Sequence, residues 1–200
     1  SKSLETLDRE AFYDCDKITE IEIPKSLTAG GWDSYYYMMG AFNKCSGLKT
    51  VTFEKGTTRV AKYLFANCDG LEEIVLPDTI TSIGEYAFYM YNGSDYASSS
   101  NLKKITFSEN LVSIGNYAFY NCRKLASVEL PEYLETIGGY SFALSGLENL
   151  DMPDSVVTVY YNAFANCSNL SSVKLSKSLE TLDREAFYDC DKITEIEIPK

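Results

Sequence analysis

Histidine is absent from all 200 residues. That removes the commonest general base, the usual partner of a nucleophilic serine and the most frequent zinc ligand. Basic residues are also scarce, with 18 Lys and Arg against 29 Asp and Glu and a net charge of −11. Nucleic-acid affinity is built on cations that neutralise phosphates, and anionic lipid attracts the same cations. Neither is an expected partner. No apolar run reaches the roughly 20 residues of a membrane-spanning helix, so membrane insertion is not expected. Any catalysis would have to be assembled from carboxylates, hydroxyls and thiols. No spacing brings such groups together as a base, a nucleophile and an oxyanion donor. The chain reads as non-enzymatic, without a cofactor or a metal site.

What the sequence does have is repetition. Ser1 to Lys25 recurs unchanged as Ser176 to Lys200, and a looser version of the pattern fills the space between. Aligned on an Ala-Phe pair, Phe42, Phe65 and Phe88 are 23 residues apart, as are Phe119 and Phe142, and Phe164 and Phe187. A fixed period of this length signals a stack of small units, each covering its neighbour's apolar face. Residues 1–200 therefore read as one repeat solenoid of about eight modules, a piece of a longer array.

One copy shows the physics. Leu125-x-x-Val128-x-Leu130-Pro131 places Val128 and Leu130 on one face of a strand, with Glu129 facing solvent. Pro131 ends the strand because it cannot donate to a ladder, and all five prolines fall in this column. Leu134 to Gly138 reads as a second, shorter strand. Its glycine column, Gly84, Gly115 and Gly138, suits a turn at positive φ, with Asp8 and Asp183 taking that place in the end copies. Ala, Phe and a cysteine three residues on read as a short helical turn, with Asp14, Asn67, Asn121, Asn166 and Asp189 satisfying local backbone groups.

The pattern resembles leucine-rich repeats, whose Leu-x-x-Leu-x-Leu core is matched by Leu71-x-x-Ile74-x-Leu76 and its equivalents. Pro-x-x-Leu-x-x-Ile-Gly-x-x-Ala-Phe-x-x-Cys replaces the common asparagine position, and in this the chain looks like the BspA-like leucine-rich repeats of bacterial surface proteins. The resemblance covers essentially the whole chain. It implies a right-handed coil with a parallel sheet on one face and short strands and turns on the other. It also implies an extracellular or surface-attached location and adhesion, with a host or matrix protein or a glycan as partner. It transfers no catalytic residue.

Cys15, Cys45, Cys68, Cys122, Cys167 and Cys190 each follow a module's Phe by three residues. Neighbouring thiols in a stack are near enough to bridge, but parallel side chains make poor disulfide torsions. A buried column of free thiols is the favoured reading, and three disulfides the alternative. Asp14-x-Asp16 and Asp189-x-Asp191 lack the glycine and distal Glu of a calcium loop.

The beat is interrupted three times. Phe142 to Phe164 is one residue short, and insertions of seven and eight residues lie within 28–40 and 89–101. The first insertion holds Trp32, Tyr35, Tyr36 and Tyr37, and the second holds Tyr89, Tyr91 and Tyr96. Aromatic loops of this kind supply large contact area at low entropy cost. Trp32, Tyr35, Tyr36, Tyr37, Tyr91 and Tyr96 are the candidate ligand-binding residues. Packing onto a locally disturbed core is the competing role, and Leu64, standing where most modules have Ala, favours it.

The identical end modules carry a further expectation. Native solenoids close with atypical caps, and these ends are not atypical. End-to-end self-association is therefore expected, opposed by the net negative charge, and a spacer role in a long array is the alternative to ligand binding.

Overall fold

The computed structural model describes residues 3–34, 37–90 and 100–199, with backbone alone over 32–34 and 37–38. Two columns of parallel strands run the length of the stack. The short-strand column holds β1 (Thr6–Leu7), β3 (Ala29–Ser34), β6 (Arg59–Val60), β8 (Ser82–Ile83), β10 (Ser113–Ile114), β11 (Thr136–Ile137), β13 (Thr158–Val159) and β15 (Thr181–Leu182). The last six pair in register as one sheet, and a bridge from Ala29 to Lys62 carries the column on toward β3 and β1.

The second column holds β2 (Glu20–Ile23), β5 (Thr50–Phe53), β7 (Glu73–Val75), β9 (Lys104–Thr106), β12 (Asn149–Asp151), β14 (Ser172–Lys174) and β16 (Glu195–Glu197). Side chains alternate as expected: Ile74, Ile105 and Leu150 are buried between exposed neighbours. This face is interrupted, pairing as β2-β5, β7-β9 and β12-β14-β16. The copy that fits the sequence pattern best is one of the interruptions, for Ser127 to Leu130 forms no strand and Val128 and Leu130 are only half-buried. That coil is held through β11 and its turn instead. The prolines act as expected: Pro131 is followed by a turn in which its carbonyl accepts the Leu134 amide at 3.1 Å.

The Ala-Phe stretch turns the chain without forming a helix. Among the described residues fourteen non-glycine residues have positive φ, and each lies two residues before or two after a module's Phe, as Tyr117 (56°) and Asn121 (61°) flank Phe119. A left-handed residue on either side stops helical propagation. It also turns amides along the stack. Tyr117 N donates to Gly139 O at 2.9 Å, Phe119 N to Ser141 O at 2.7 Å and Asn121 N to Ala143 O at 2.8 Å. The turns thus form a third hydrogen-bonded ladder between coils.

Positive φ therefore belongs to the residues flanking Phe, and not to Gly84, Gly115 or Gly138, nor to Asp8 or Asp183. Those glycines are required for another reason. A Cβ on Gly115 would lie 2.7 Å from Glu85 N, and one on Gly138 would lie 2.6 Å from Asn116 N. The neighbouring coil's backbone passes too close for any side chain.

The core is a single apolar column threaded by eight phenylalanines. Phe12, Phe42, Phe65, Phe88, Phe119, Phe142, Phe164 and Phe187 stack ring on ring with centroids 5.1 to 5.8 Å apart. Neither insertion disturbs it. All six cysteines are free, four buried and Cys15 and Cys190 half-buried. The thiols also bond between coils: Cys45 Sγ donates to Phe12 O (2.9 Å), Cys167 Sγ to Phe142 O (3.2 Å) and Cys190 Sγ to Phe164 O (3.1 Å).

Candidate functional site

The first insertion is a β-hairpin. β3 pairs antiparallel with β4 (Tyr37–Gly40), Gly31 opposite Gly40 and Trp32 opposite Met39. The hairpin leaves the stack at the two glycines, beneath Tyr63. A Cβ on Gly31 would meet Tyr63 Cβ at 2.7 Å, and one on Gly40 would meet Ala66 N at 2.6 Å. Leu64 is fully buried and fills the space over Gly30, whose Cβ would fall 2.6 Å from Leu64 Cα. The irregular Leu64 thus fills the space at the hairpin's root.

The hairpin's root precedes a Phe turn, and the second insertion follows one in sequence. The Phe turns themselves carry tyrosines in register. Tyr63, Tyr86, Tyr117 and Tyr140 all occupy the left-handed position before Phe. Their rings stack in sequence at 4.9, 4.8 and 4.8 Å, with interplanar angles of 8°, 4° and 11°. Tyr161 closes the row edge-on at 5.5 Å.

A second, shorter row lies beside it, one residue after Phe. Tyr89 stacks on Tyr120 at 5.2 Å and meets Tyr86 edge-on at 5.3 Å, while Tyr120 lies 5.7 Å from Tyr117. Tyr63 and Tyr89 are buried; Tyr86, Tyr117, Tyr120 and Tyr140 are half-buried. Stacking of this kind adds to the area buried. Burial, followed by the surrounding phenols, pushes the Tyr117 hydroxyl well above the ordinary tyrosine range, so it is a neutral donor at physiological pH.

Of the candidate binding residues, Trp32 and Tyr37 lie on the paired strands of the hairpin. Tyr35, Tyr36, Tyr91 and Tyr96 lie outside the described residues. Tyr89, counted with the second insertion on composition, belongs to the regular turn at its root. The row at Tyr63, Tyr86, Tyr117 and Tyr140 escapes a reading that looks for binding residues only where the period breaks. Its signal is the 23-residue column itself.

The strand face opposite offers a different surface. Glu20, Glu22, Glu73, Glu129, Asp151, Glu195 and Glu197 are all exposed there. Asp151 is tied to the next coil by Lys174 at 2.9 Å, and Glu72, beside Glu73, takes Lys103 at 2.6 Å with Lys49 at 3.8 Å. The lysine contacts hold the Glu72 carboxyl below the usual range. Asp16, of the Asp14-x-Asp16 pair, accepts from Ser46 Oγ at 2.6 Å and Ser46 N at 3.1 Å, and these bonds lower its carboxyl likewise. Among the described residues no three Cys, Asp or Glu side chains group as metal ligands.

Coils of this length, stacked on parallel strands around a column of Leu, Ile and Phe, define a leucine-rich repeat solenoid. The chain belongs to the family described as the BspA type leucine rich repeat region, which matches residues 5–96 and 92–200 in six copies. The fold is shared with the leucine rich repeat protein of T. pallidum (TM-score 0.66, 25% identity), over 92% of this chain and 72% of that one. It is also shared with a leucine rich cell surface protein of Faecalibacterium prausnitzii A2-165 (TM-score 0.57, 19% identity), over 95% of this chain and 62% of that one. A leucine-rich repeat protein of Eubacterium ventriosum matches with a TM-score of 0.55 and 23% identity, over 92% of this chain and 49% of that one. No curated protein matches the chain by sequence. The family's fold is in general a protein-binding or structural one, and its relatives here are bacterial.

Proposed function

We propose that the chain is a non-enzymatic adhesion segment of a bacterial cell-surface protein, and that it engages a host or matrix protein or glycan through its tyrosine-rich edge. The observation that carries this reading is the double row of tyrosines on the Phe turns, which begins at Tyr63 against the hairpin's root and runs past the second insertion to Tyr140. The surface location follows the F. prausnitzii neighbour, which is a cell surface protein by name.

The stacking also ranks the ligand classes. Sugars are commonly gripped on an open aromatic face, but ring faces within the Tyr63–Tyr140 row are covered by one another. What remains for a ligand is ring edges and hydroxyls, a surface suited to a protein partner. Glycan contact would have to come from the insertions.

The test removes both insertions while keeping the beat. Replacing residues 32–39 by one serine and deleting 91–98 restores 23-residue spacing at both places. Adhesion is then measured to collagen-, fibronectin- and mucin-coated surfaces and to epithelial cells, with cooperative unfolding as the check on folding. The reading expects adhesion by the parent chain and a loss of roughly tenfold or more in the variant, about 1.4 kcal/mol. Undiminished adhesion by a folded variant removes the insertions from the reading and leaves binding to the Tyr63–Tyr140 row; no adhesion by the parent overturns it and favours a spacer role.

A further inference from the structure

The positive charge of the chain is unevenly placed. Where each coil passes from its Phe turn into the long-strand column, four successive interior coils contribute residues 45–50, 68–73, 99–104 and 122–127. These hold Lys49, Lys103, Lys104, Arg123 and Lys124 against Asp69, Glu72 and Glu73, a net +2 in a chain of −11. The same stretch in the other coils, 15–20, 145–150, 167–172 and 190–195, sums to −1, −1, 0 and −1. Cations therefore collect on one run of neighbouring coils.

The structure arranges them as a row. Glu72 and Lys103 stand immediately before β7 and β9, whose register sets Glu73 opposite Lys104, and Lys103 N donates to Glu72 O at 2.7 Å. One oxygen of the Glu72 carboxylate lies 2.6 Å from the Lys103 ammonium, and the other lies 3.8 Å from that of Lys49. Lys49 Nζ also donates to Gly70 O at 2.8 Å, and Lys124 Nζ to Asn101 Oδ1 at 2.6 Å. Lys49, Lys103 and Lys124 come from the first, third and fourth of these coils, and all three are exposed. At about 4.8 Å for each coil step, the row is about 15 Å long.

The row is under-neutralised. Lys49 and Lys103 share one carboxylate, and Lys124 has a neutral amide as its partner among the described residues. The shared carboxylate stands where an external anion would be gripped, between ammonium groups of two different coils.

We infer that Lys49, Lys103 and Lys124 form a binding row for a linear polyanion of the acidic-polysaccharide class, with Glu72 as a built-in counter-ion that the ligand displaces. Cations stepped along the stack suit a polymer that carries charge at intervals along its length. A folded acidic protein would meet the repulsion of the whole −11 chain, whereas a thin polymer can lie along the row alone. A single-stranded nucleic acid would seek aromatic faces beside the cations for its bases, and these four stretches contain no aromatic residue. Charge holds such a ligand, so the covered rings of the tyrosine row place no limit on it. The inference does not rest on the tyrosine edge being adhesive.

The 200-residue chain is titrated into a fluorescein-labelled heparin oligosaccharide, followed by anisotropy, at about 20 mM and about 150 mM NaCl. Binding is expected at the lower salt and should weaken at the higher. Glu72→Gln removes the internal counter-ion and should tighten binding roughly twofold to fivefold, the worth of one exposed ion pair. Lys103→Gln with Lys124→Gln should weaken it by at least that factor, while Lys174→Gln, at the Asp151 pair in other coils, should leave it unchanged. None of these four side chains is buried, and cooperative unfolding checks that each variant folds. No binding by either the parent or Glu72→Gln overturns the inference, and so does weaker binding by Glu72→Gln. An equal loss from Lys174→Gln would mark diffuse attraction and overturn it as well. Stronger competition by polyglutamate or by a single-stranded oligonucleotide than by unlabelled heparin would overturn the polysaccharide assignment.

Discussion

The rings of Tyr86 and Tyr117 lie 4.8 Å apart and within 4° of parallel, although an insertion separates them in sequence. Their contact depends on coil register and not on distance along the chain. Removing one ring leaves two neighbours uncovered. Tyr117→Ala should therefore lower stability by about 2–4 kcal/mol, while Tyr117→Phe, which keeps the ring, should cost about 1 or less. Urea unfolding of the two variants measures the difference, and equal losses would place the contribution in the hydroxyl.

The same phenol sets an alkaline limit. The folded-state pKa of Tyr117 is raised above the ordinary 10.0 by burial and by neighbouring phenols. Below that ordinary value the group is neutral in both folded and unfolded chains, and its contribution is fully present. Above it the unfolded chain ionises first, so stability falls as pH rises beyond about 10. Absorbance titration near 295 nm should show a tyrosine fraction that ionises only as the protein unfolds.

Ser141 stands where most modules have alanine before Phe. Its side chain is fully buried, and among the described residues its Oγ has no hydrogen-bond partner. Ser141→Ala should stabilise the chain by about 1–2 kcal/mol by removing an unpaired buried hydroxyl. Gly115→Ala should do the reverse, by about 1–3 kcal/mol, because the added methyl meets the backbone of the preceding coil. Thermal denaturation of the pair checks both signs.

The thiols should separate into two classes. Burial pushes Cys68 and Cys122 to about 12, so they present almost no thiolate at neutral pH. Cys190 is half-buried, and its shared hydrogen bond with Cys167 lowers its own thiol while raising Cys167. Cys190 should react first with a disulfide reagent, Cys15 next, and the other four only on unfolding. Uniform reaction of all six on the native protein would contradict the buried column.

Much of this architecture was legible in the sequence because it is periodic. The Phe register, the proline stops, the alternation of Ile74 and its neighbours and the free thiol column all follow from side-chain period and size. Four features were not. Positive φ sits two residues from Phe, as at Tyr117 and Asn121, rather than on Gly84, Gly115 and Gly138, because amides that bond along the stack set the turn. Gly115 and Gly138 answer to backbones one coil away. The tyrosine rows hide because the insertions draw attention by breaking the period, while the rings that build the edge belong to the regular turns. The hairpin at 29–40 shows in the sequence only as an insertion, because no local pattern announces its strand pairing.

The tyrosine edge, and not the acidic strand face, is the proposed binding surface. Tyr86→Phe with Tyr120→Phe keeps the stacked rings and removes two hydroxyls from that edge, whereas Glu129→Ser with Asp151→Ser alters the opposite one. Adhesion of both double variants to the surface that captures the parent chain is the direct comparison. The first pair should weaken binding roughly tenfold, at about 0.5–1.5 kcal/mol for each hydroxyl, and the second should leave it unchanged. Loss confined to the Glu129 and Asp151 variant would place the binding surface on the strands.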